Sequence, residues 1–255
     1  MTVLQTIGVA FSMFSAIPMP QFPWENRNMR YALCAFPLIG LVIGLLCWGF
    51  WAVGAQLGLP RLLTGAFLTL IPVWITGGIH LDGFADTCDA LSSHGDPNRM
   101  REIMKDPHLG AFAAIRLCGY FVLTLALWTA LPYYQPIPLL LGFCLSRVQS
   151  GLSVAAFPLA KNTGLAYTFS TAADRGRVKT VLITLDAALS LGLCLCGVGG
   201  GMMTAVAHGV FFGYYRTCER KFGGLSGDLA GWYLVREEQW MLLALVLWEY
   251  VEAFL

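Results

Sequence analysis

Three aspartates, Asp82, Asp86 and Asp89, follow one another at i, i+4 and i+7. On a helix this spacing puts them on one face, with neighbouring Cβ atoms about 5–6 Å apart. Like charges at that distance repel by roughly 3 kcal/mol per pair at an effective dielectric near 20. No Lys or Arg lies between residues 62 and 98 to offset them. A divalent cation would, and a set of oxygen ligands alone suits Mg²⁺ or Mn²⁺ better than zinc. Capping a helix start accounts for Asp82, but not for Asp89 two turns further in. His80, just before the acids, has the chemistry of a general base at neutral pH. It is equally suited to steadying a metal ligand or to a structural hydrogen bond.

Two later segments complete a possible site. Arg99, Arg101 and Lys105 supply the positive side chains that a phosphate-bearing substrate needs, though taken alone they read as an ordinary basic loop. Asp106 is either one more ligand or a partner that holds Lys105. The run Gly223-Gly224-Leu225-Ser226-Gly227-Asp228 is dense in glycine, which lets backbone approach a ligand closely. Asp228 then either completes the metal site or caps a helix. Arg116 and Arg147 lie inside apolar stretches, where a charge costs about 3 kcal/mol or more. Both should face the interior and pair with an acid or a ligand phosphate.

The elements that carry these residues are membrane helices. Apolar residues make up 57% of the 255 and charged residues 12%, too few charges to cover a water-soluble surface. About 20 apolar residues cross a bilayer. Stretches near 32–57, 62–79, 109–131, 137–158, 180–200 and 202–216 qualify, with a seventh at 239–255. Residues 3–17 are interrupted by Pro18 and Pro20, and read as a short interfacial or re-entrant segment, not a cleaved signal. The expected fold is all-α, a polytopic bundle of about six to seven spans forming one integral membrane domain over 1–255. Strict alternation puts thirteen of the sixteen Lys and Arg in the connections 20–31, 80–108, 159–179 and 216–238. The positive-inside rule makes those connections cytoplasmic. The active-site loops 77–112, 159–179 and 216–238 should then face the cytoplasm. The cysteines lie mostly within apolar runs and show no CxxC pair, so neither disulfides nor zinc are expected.

These segments, in this order, resemble the cobalamin synthase family, the adenosylcobinamide-GDP ribazoletransferases of bacterial inner membranes. Its pattern Gly-Gly-x-His-x-Asp-Gly-x-Ala-Asp-x-x-Asp is met at every fixed position by residues 77–89. A basic stretch ending Ile-Met-Lys-Asp-x-x-x-Gly-x-Phe matches Ile103–Phe112. A looser block lies near Arg147 and Gly164-Leu165. In the last block Ser226 stands for a Thr before Gly227-Asp228, Val235 occupies the first glutamate position, and Glu238 matches the second.

The resemblance implies a Mg²⁺-dependent transferase that joins adenosylcobinamide-GDP to α-ribazole or its 5′-phosphate and releases GMP. It implies His80, Asp82 and Lys105 as catalytic residues. Arg99, Arg101, Arg116, Arg147, Ser226 and Glu238 would bind substrate, and Asp82, Asp86, Asp89, Asp106 and Asp228 would hold metal. The lipid bilayer is an expected partner, nucleic acid is not, and the lipid-facing surface is compatible with a homo-oligomer. Two other readings use the same residues. A CDP-alcohol phosphotransferase would need an Arg after the first acids and a distal Asp pair, which this chain lacks. An ion-coupled transporter would place its charges near the bilayer midplane, commonly with two similar halves, and the chain shows no internal repeat.

Overall fold

The computed structural model describes residues 3–20, 22–132 and 134–255. They form thirteen α-helices and no strand longer than a single bridge. In chain order these are α1 (Val3–Phe14), α2 (Asn26–Met29), α3 (Ala32–Ala35), α4 (Pro37–Gln56), α5 (Arg61–Thr76), α6 (Ile79–Ser92) and α7 (Pro97–Ile103). Then follow α8 (Ala111–Ala130), α9 (Pro136–Ala156), α10 (Leu165–Ala172), α11 (Arg175–Leu195), α12 (Val198–Thr217) and α13 (Gly227–Glu252). A π-helical turn, Cys218–Phe222, extends α12.

Four helices are singly long and apolar enough to cross a bilayer: α4, α8, α9 and α11. A fifth crossing is counted if α5 and α6 together form one broken span. The chain is thus a multi-pass membrane protein. The two remaining expected stretches fall in α12 and α13, which are long enough to cross but too polar to qualify by composition. Their polar groups are partly accounted for inside the bundle. His208 Nε2 of α12 meets Asp186 Oδ2 of α11 at 3.1 Å, and Gln149 of α9 donates to Asp186 at 2.9 Å. Tyr233 of α13 donates to Gln149 at 2.7 Å. α1 is 12 residues, about 18 Å, too short to cross, as its early proline break implied. Val9 and Ala10 on its inner face are fully buried, and Ala16 donates to the Ile75 carbonyl at 2.7 Å.

α9 is the axis of the bundle. In its most apolar stretch 78% of residues are buried, against 17–33% for the other three candidate spans, whose faces are left for lipid. α4 lies against it through Gly40 and Gly44. A methyl at Gly40 would overlap the Phe143 carbonyl, and one at Gly44 would sit 2.8 Å from Leu140 Cα. Small residues four apart let two membrane helices approach to backbone contact.

The end of α5 sets up everything that follows. Gly77 and Gly78 both take left-handed backbone, φ 65° and 78°. Their amides close the last turn on the carbonyls of Trp74 and Val73, a glycine C-cap. The next residue already begins α6, which leaves α5 at 96°. Residues 79–92, whose acids share one face if helical, are helix, and so are residues 227–238 within the expected connection 216–238. The acids sit on a rigid element, not a flexible connection.

Candidate active site

α6 and α13 cross at two glycines. A Cβ at Gly83 would stand 2.7 Å from the Asp228 backbone, and one at Gly231 would stand 2.9 Å from the His80 carbonyl oxygen. The absence of both side chains lets the backbones touch, which brings Asp82 and Asp86 of α6 beside Asp228 of α13. The consequence is visible in their acidity. Asp86, outside the four spans, has its pKa raised to about 6 by partial burial and then by Asp82, Asp228 and Asp89. Asp228 is also raised, by burial and by Asp82, with Lys161 acting in the opposite sense. Ser226, not Asp228, caps α13: its Oγ accepts from the Leu229 amide at 3.3 Å. The Asp228 carboxylate, in the first helical turn, is thereby left for the site.

Asp89 has a different task. Its Oδ1 accepts from the Ala113 amide at 3.2 Å, satisfying one of the unpaired donors at the start of α8. Gly110 gives it room there, because a side chain at 110 would collide with the Asp89 carboxylate. Asp106 is exposed and turned to its own loop, bonded to the His108 amide at 3.0 Å and to His108 Nδ1 at 2.7 Å. These local bonds hold its pKa below the usual range. Asp89 still adds its charge to that felt by Asp86, while Asp106 is occupied by His108. Among the described residues no three acidic, His or Cys groups form a ready-made metal cage.

Two cavities meet at Asp228. One, about 290 Å³, has apolar walls that include Leu33, Phe36, Val154 and Phe169, with His80, Asp82 and Asp228 on its polar side. The other, about 580 Å³, is lined by Asn98, Arg101, Lys105, Lys161, Ser226 and Asp228. Arg101 is held in place by bonds to the Phe222 carbonyl at 2.9 Å and to Asn98 Oδ1 at 2.7 Å. Arg99 lies outside both cavities and pairs with Glu102 at 3.2 Å on the surface.

Lys161 was not singled out from the sequence. It reaches the site because Leu225 donates to the Pro158 carbonyl (2.7 Å) and Ala160 donates back to Leu225 (2.9 Å). Gly224, at φ 146°, lets the two segments close on each other. The matching block at Gly164-Leu165, three residues on, was the one signal for it.

Arg147 is fully buried in α9 and pairs with Glu238 of α13, with Ser146 bonded to both at 2.9 and 3.0 Å. This pair lines a void of about 20 Å³ behind His80, not the wall of either large cavity. Burial and the charge of Arg147 push the His80 pKa below its ordinary value, and its Nε2 is buried without a partner. Arg116 lies on the opposite side of α6, in a separate groove with Arg236. The interior was the expected place for both arginines. Arg147 is there, and Arg116 is exposed.

The profile of the CobS family, described as cobalamin-5-phosphate synthase, matches residues 6–246. A protein of Lachnoclostridium phytofermentans is 42% identical over 249 residues, covering 96% of this chain and 95% of its own. One of Stutzerimonas stutzeri is 33% identical over 245 residues (94% and 96%), and one of Clostridium perfringens 29% over 238 (92% and 94%). All three are called adenosylcobinamide-GDP ribazoletransferase. No solved structure matches the chain. With the family profile matching residues 6–246, the chain belongs to the CobS family of cobalamin-5-phosphate synthases.

Proposed function

We propose that this chain is the adenosylcobinamide-GDP ribazoletransferase of cobalamin biosynthesis, and that its reaction takes place where α6 crosses α13. A ribose hydroxyl of α-ribazole, or of its 5′-phosphate, attacks the phosphoryl group attached to the cobinamide. A new phosphorus–oxygen bond forms, the bond to GMP breaks, and the hydroxyl proton passes to a base. The observation that carries this reading is the juxtaposition at Asp228, the one acid that lines both the apolar cavity and the basic cavity, with Asp82 on the wall of the apolar one.

Each part of the site fits a step. Arg101, Lys105 and Lys161 would hold the diphosphate oxygens and the departing GMP. The apolar cavity would receive the uncharged ring of the attacking nucleoside, with His80 and Asp82 beside its ribose. Asp82, Asp86 and Asp228 are a donor set suited to Mg²⁺, which commonly takes one or two carboxylates, substrate phosphates and water, and needs no closed protein cage. When bound, the ion would supply charge neutralisation for the departing phosphate. The raised pKa of Asp86 is what a cation would relieve. Asp82, exposed and on the wall of the apolar cavity, is the group that would take the proton. The excess of Lys and Arg in the same connections supports a cytoplasmic active site.

The test is turnover by the purified protein in nanodiscs with adenosylcobinamide-GDP, α-ribazole and Mg²⁺. GMP release with formation of a cobamide, lost on chelation, is expected. Folded protein that releases no GMP from either ribazole form overturns the reading.

A further inference from the structure

The second face of α6 faces a groove separate from the two cavities that meet at Asp228. Phe84, Cys88 and Leu91 follow Asp82, Asp86 and Asp89 by two residues each, about 200° around the helix. They form the floor of a groove of about 600 Å³ between α8 and α13, with Arg116 on one wall and Arg236 on the other. Neither arginine has an ion pair or hydrogen bond to protein among the described residues. Arg236 is held over the Trp232 ring, 4.4 Å from its centroid. Partial burial, and after it the charge of Arg116, lowers the pKa of Arg236, whose helix is not among the four spans.

The rim decides what could answer this charge. Ile115 and Leu123 of α8 and Trp240 of α13 are 65%, 43% and 44% exposed. α8 is one of the four candidate spans, so the groove opens sideways toward lipid. Arg116 lies about 8 Å along α8 from its first residue, and Arg236 about 14 Å along α13. Both arginines thus lie in the first half of their helices, and long arginine side chains near helix ends reach to the headgroup layer, where tryptophans also gather. A ligand that suits the groove is anionic at one end and aliphatic at the other.

We propose that the groove between α8 and α13, with Arg116 and Arg236 facing each other across it and a lipid-facing apolar rim, binds the phosphate headgroup of an anionic phospholipid. The site lies on the far side of α6 from the acids and stands whether or not the transfer reaction is as proposed.

Brominated lipids test this directly, because Trp240 on the rim is a built-in reporter. Full-length protein in mixed micelles would be titrated with brominated phosphatidylglycerol and brominated phosphatidylcholine, with Trp240→Phe isolating the rim signal. Quenching at Trp240 should favour phosphatidylglycerol by about fivefold or more, since each basic side chain near the headgroups contributes about a factor of five. In Arg116→Gln/Arg236→Gln the two lipids should quench alike. Equal quenching in the parent protein, or an undiminished preference in the double variant, overturns the proposal. So does abolition of the preference by millimolar inorganic phosphate, which would make the groove a site for free anions. If the double variant fails to fold, Arg116→Gln carries the test, because that residue is exposed. A reduced preference supports the lipid site and an unchanged one refutes it.

Discussion

Two helix crossings in this molecule use the same device and do different work. At α4 and α9, Gly40 and Gly44 let backbones touch, and no carboxylate flanks the contact among the described residues. At α6 and α13, Gly83 and Gly231 do the same, and the residues flanking the contact are His80, Asp82, Asp86 and Asp228. The first crossing gains packing. The second gathers like charges, which oppose association until something neutralises them. Close approach is thus a structural device at one crossing and a way of concentrating carboxylates at the other.

The largest expected effect separates the two. Asp82→Asn should cut turnover by about a thousandfold or more, roughly 4 kcal/mol of transition-state stabilisation. Thermal unfolding of that variant should stay within a degree or two of the parent, since Asp82 is exposed and its carboxylate has no hydrogen bond among the described residues. A large loss of stability would show that the acids hold the crossing together.

The next effect lies where the crossings are joined. Arg147 of α9 and Glu238 of α13 form a buried ion pair, and Arg147→Ala leaves Glu238 without its cation. A cost of about 3–5 kcal/mol is expected, with most of it recovered in Arg147→Met/Glu238→Leu. Denaturation in detergent would measure both.

Gly40→Ala and Gly83→Ala sharpen the contrast. Each should cost about 1–3 kcal/mol by overpacking. Only Gly83→Ala should also lower kcat out of proportion to the folded fraction, because it pushes Asp228 away from Asp82.

The smallest effect is one of pH. The native pKa of Asp86, about 6, exceeds that of an unfolded aspartate, near 3.8. Stability from this group is full below pH 3.8, declines through the window to pH 6, and is lost above it. With divalent ions chelated, Asp86→Asn should therefore melt a few degrees above the parent at pH 7.5 and alike at pH 4. Added Mg²⁺ should narrow the gap at pH 7.5 by stabilising the parent. A gap of the opposite sign would mean that Asp86 is held ionised by a partner.

Much of this arrangement was legible in the sequence. The i, i+4, i+7 spacing of the acids gave their common face, and apolar runs gave the main membrane helices. What could not be read was long-range pairing. Asp89 is drawn to an amide 24 residues later, and no local pattern marks that amide. Lys161 enters through a bridge between Leu159 and Leu225, a backbone contact without a side-chain signature. Arg116 and Arg147 look alike as lone charges in apolar stretches, yet one faces out and the other pairs inside. Ser226 and Asp228 are both good cap residues, and only the chain's actual path decides which serves. Composition overstated the number of spans that qualify singly. It could not see that 62–79 turns sharply at Gly77, or that the last apolar stretch starts within a helix whose first turns are polar.

The paired glycines at 77 and 78 leave no slack between α5 and α6. α5 is 16 residues, about 24 Å, shorter than a typical hydrocarbon core of about 30 Å. A bilayer accommodates a short helix by thinning, or by changing how its neighbours tilt. Because the turn is stiff, any such tilt swings α6 like a bracket arm, with Asp82 riding on it. Membrane thickness thereby becomes a mechanical input to the distance between Asp82 and Asp228.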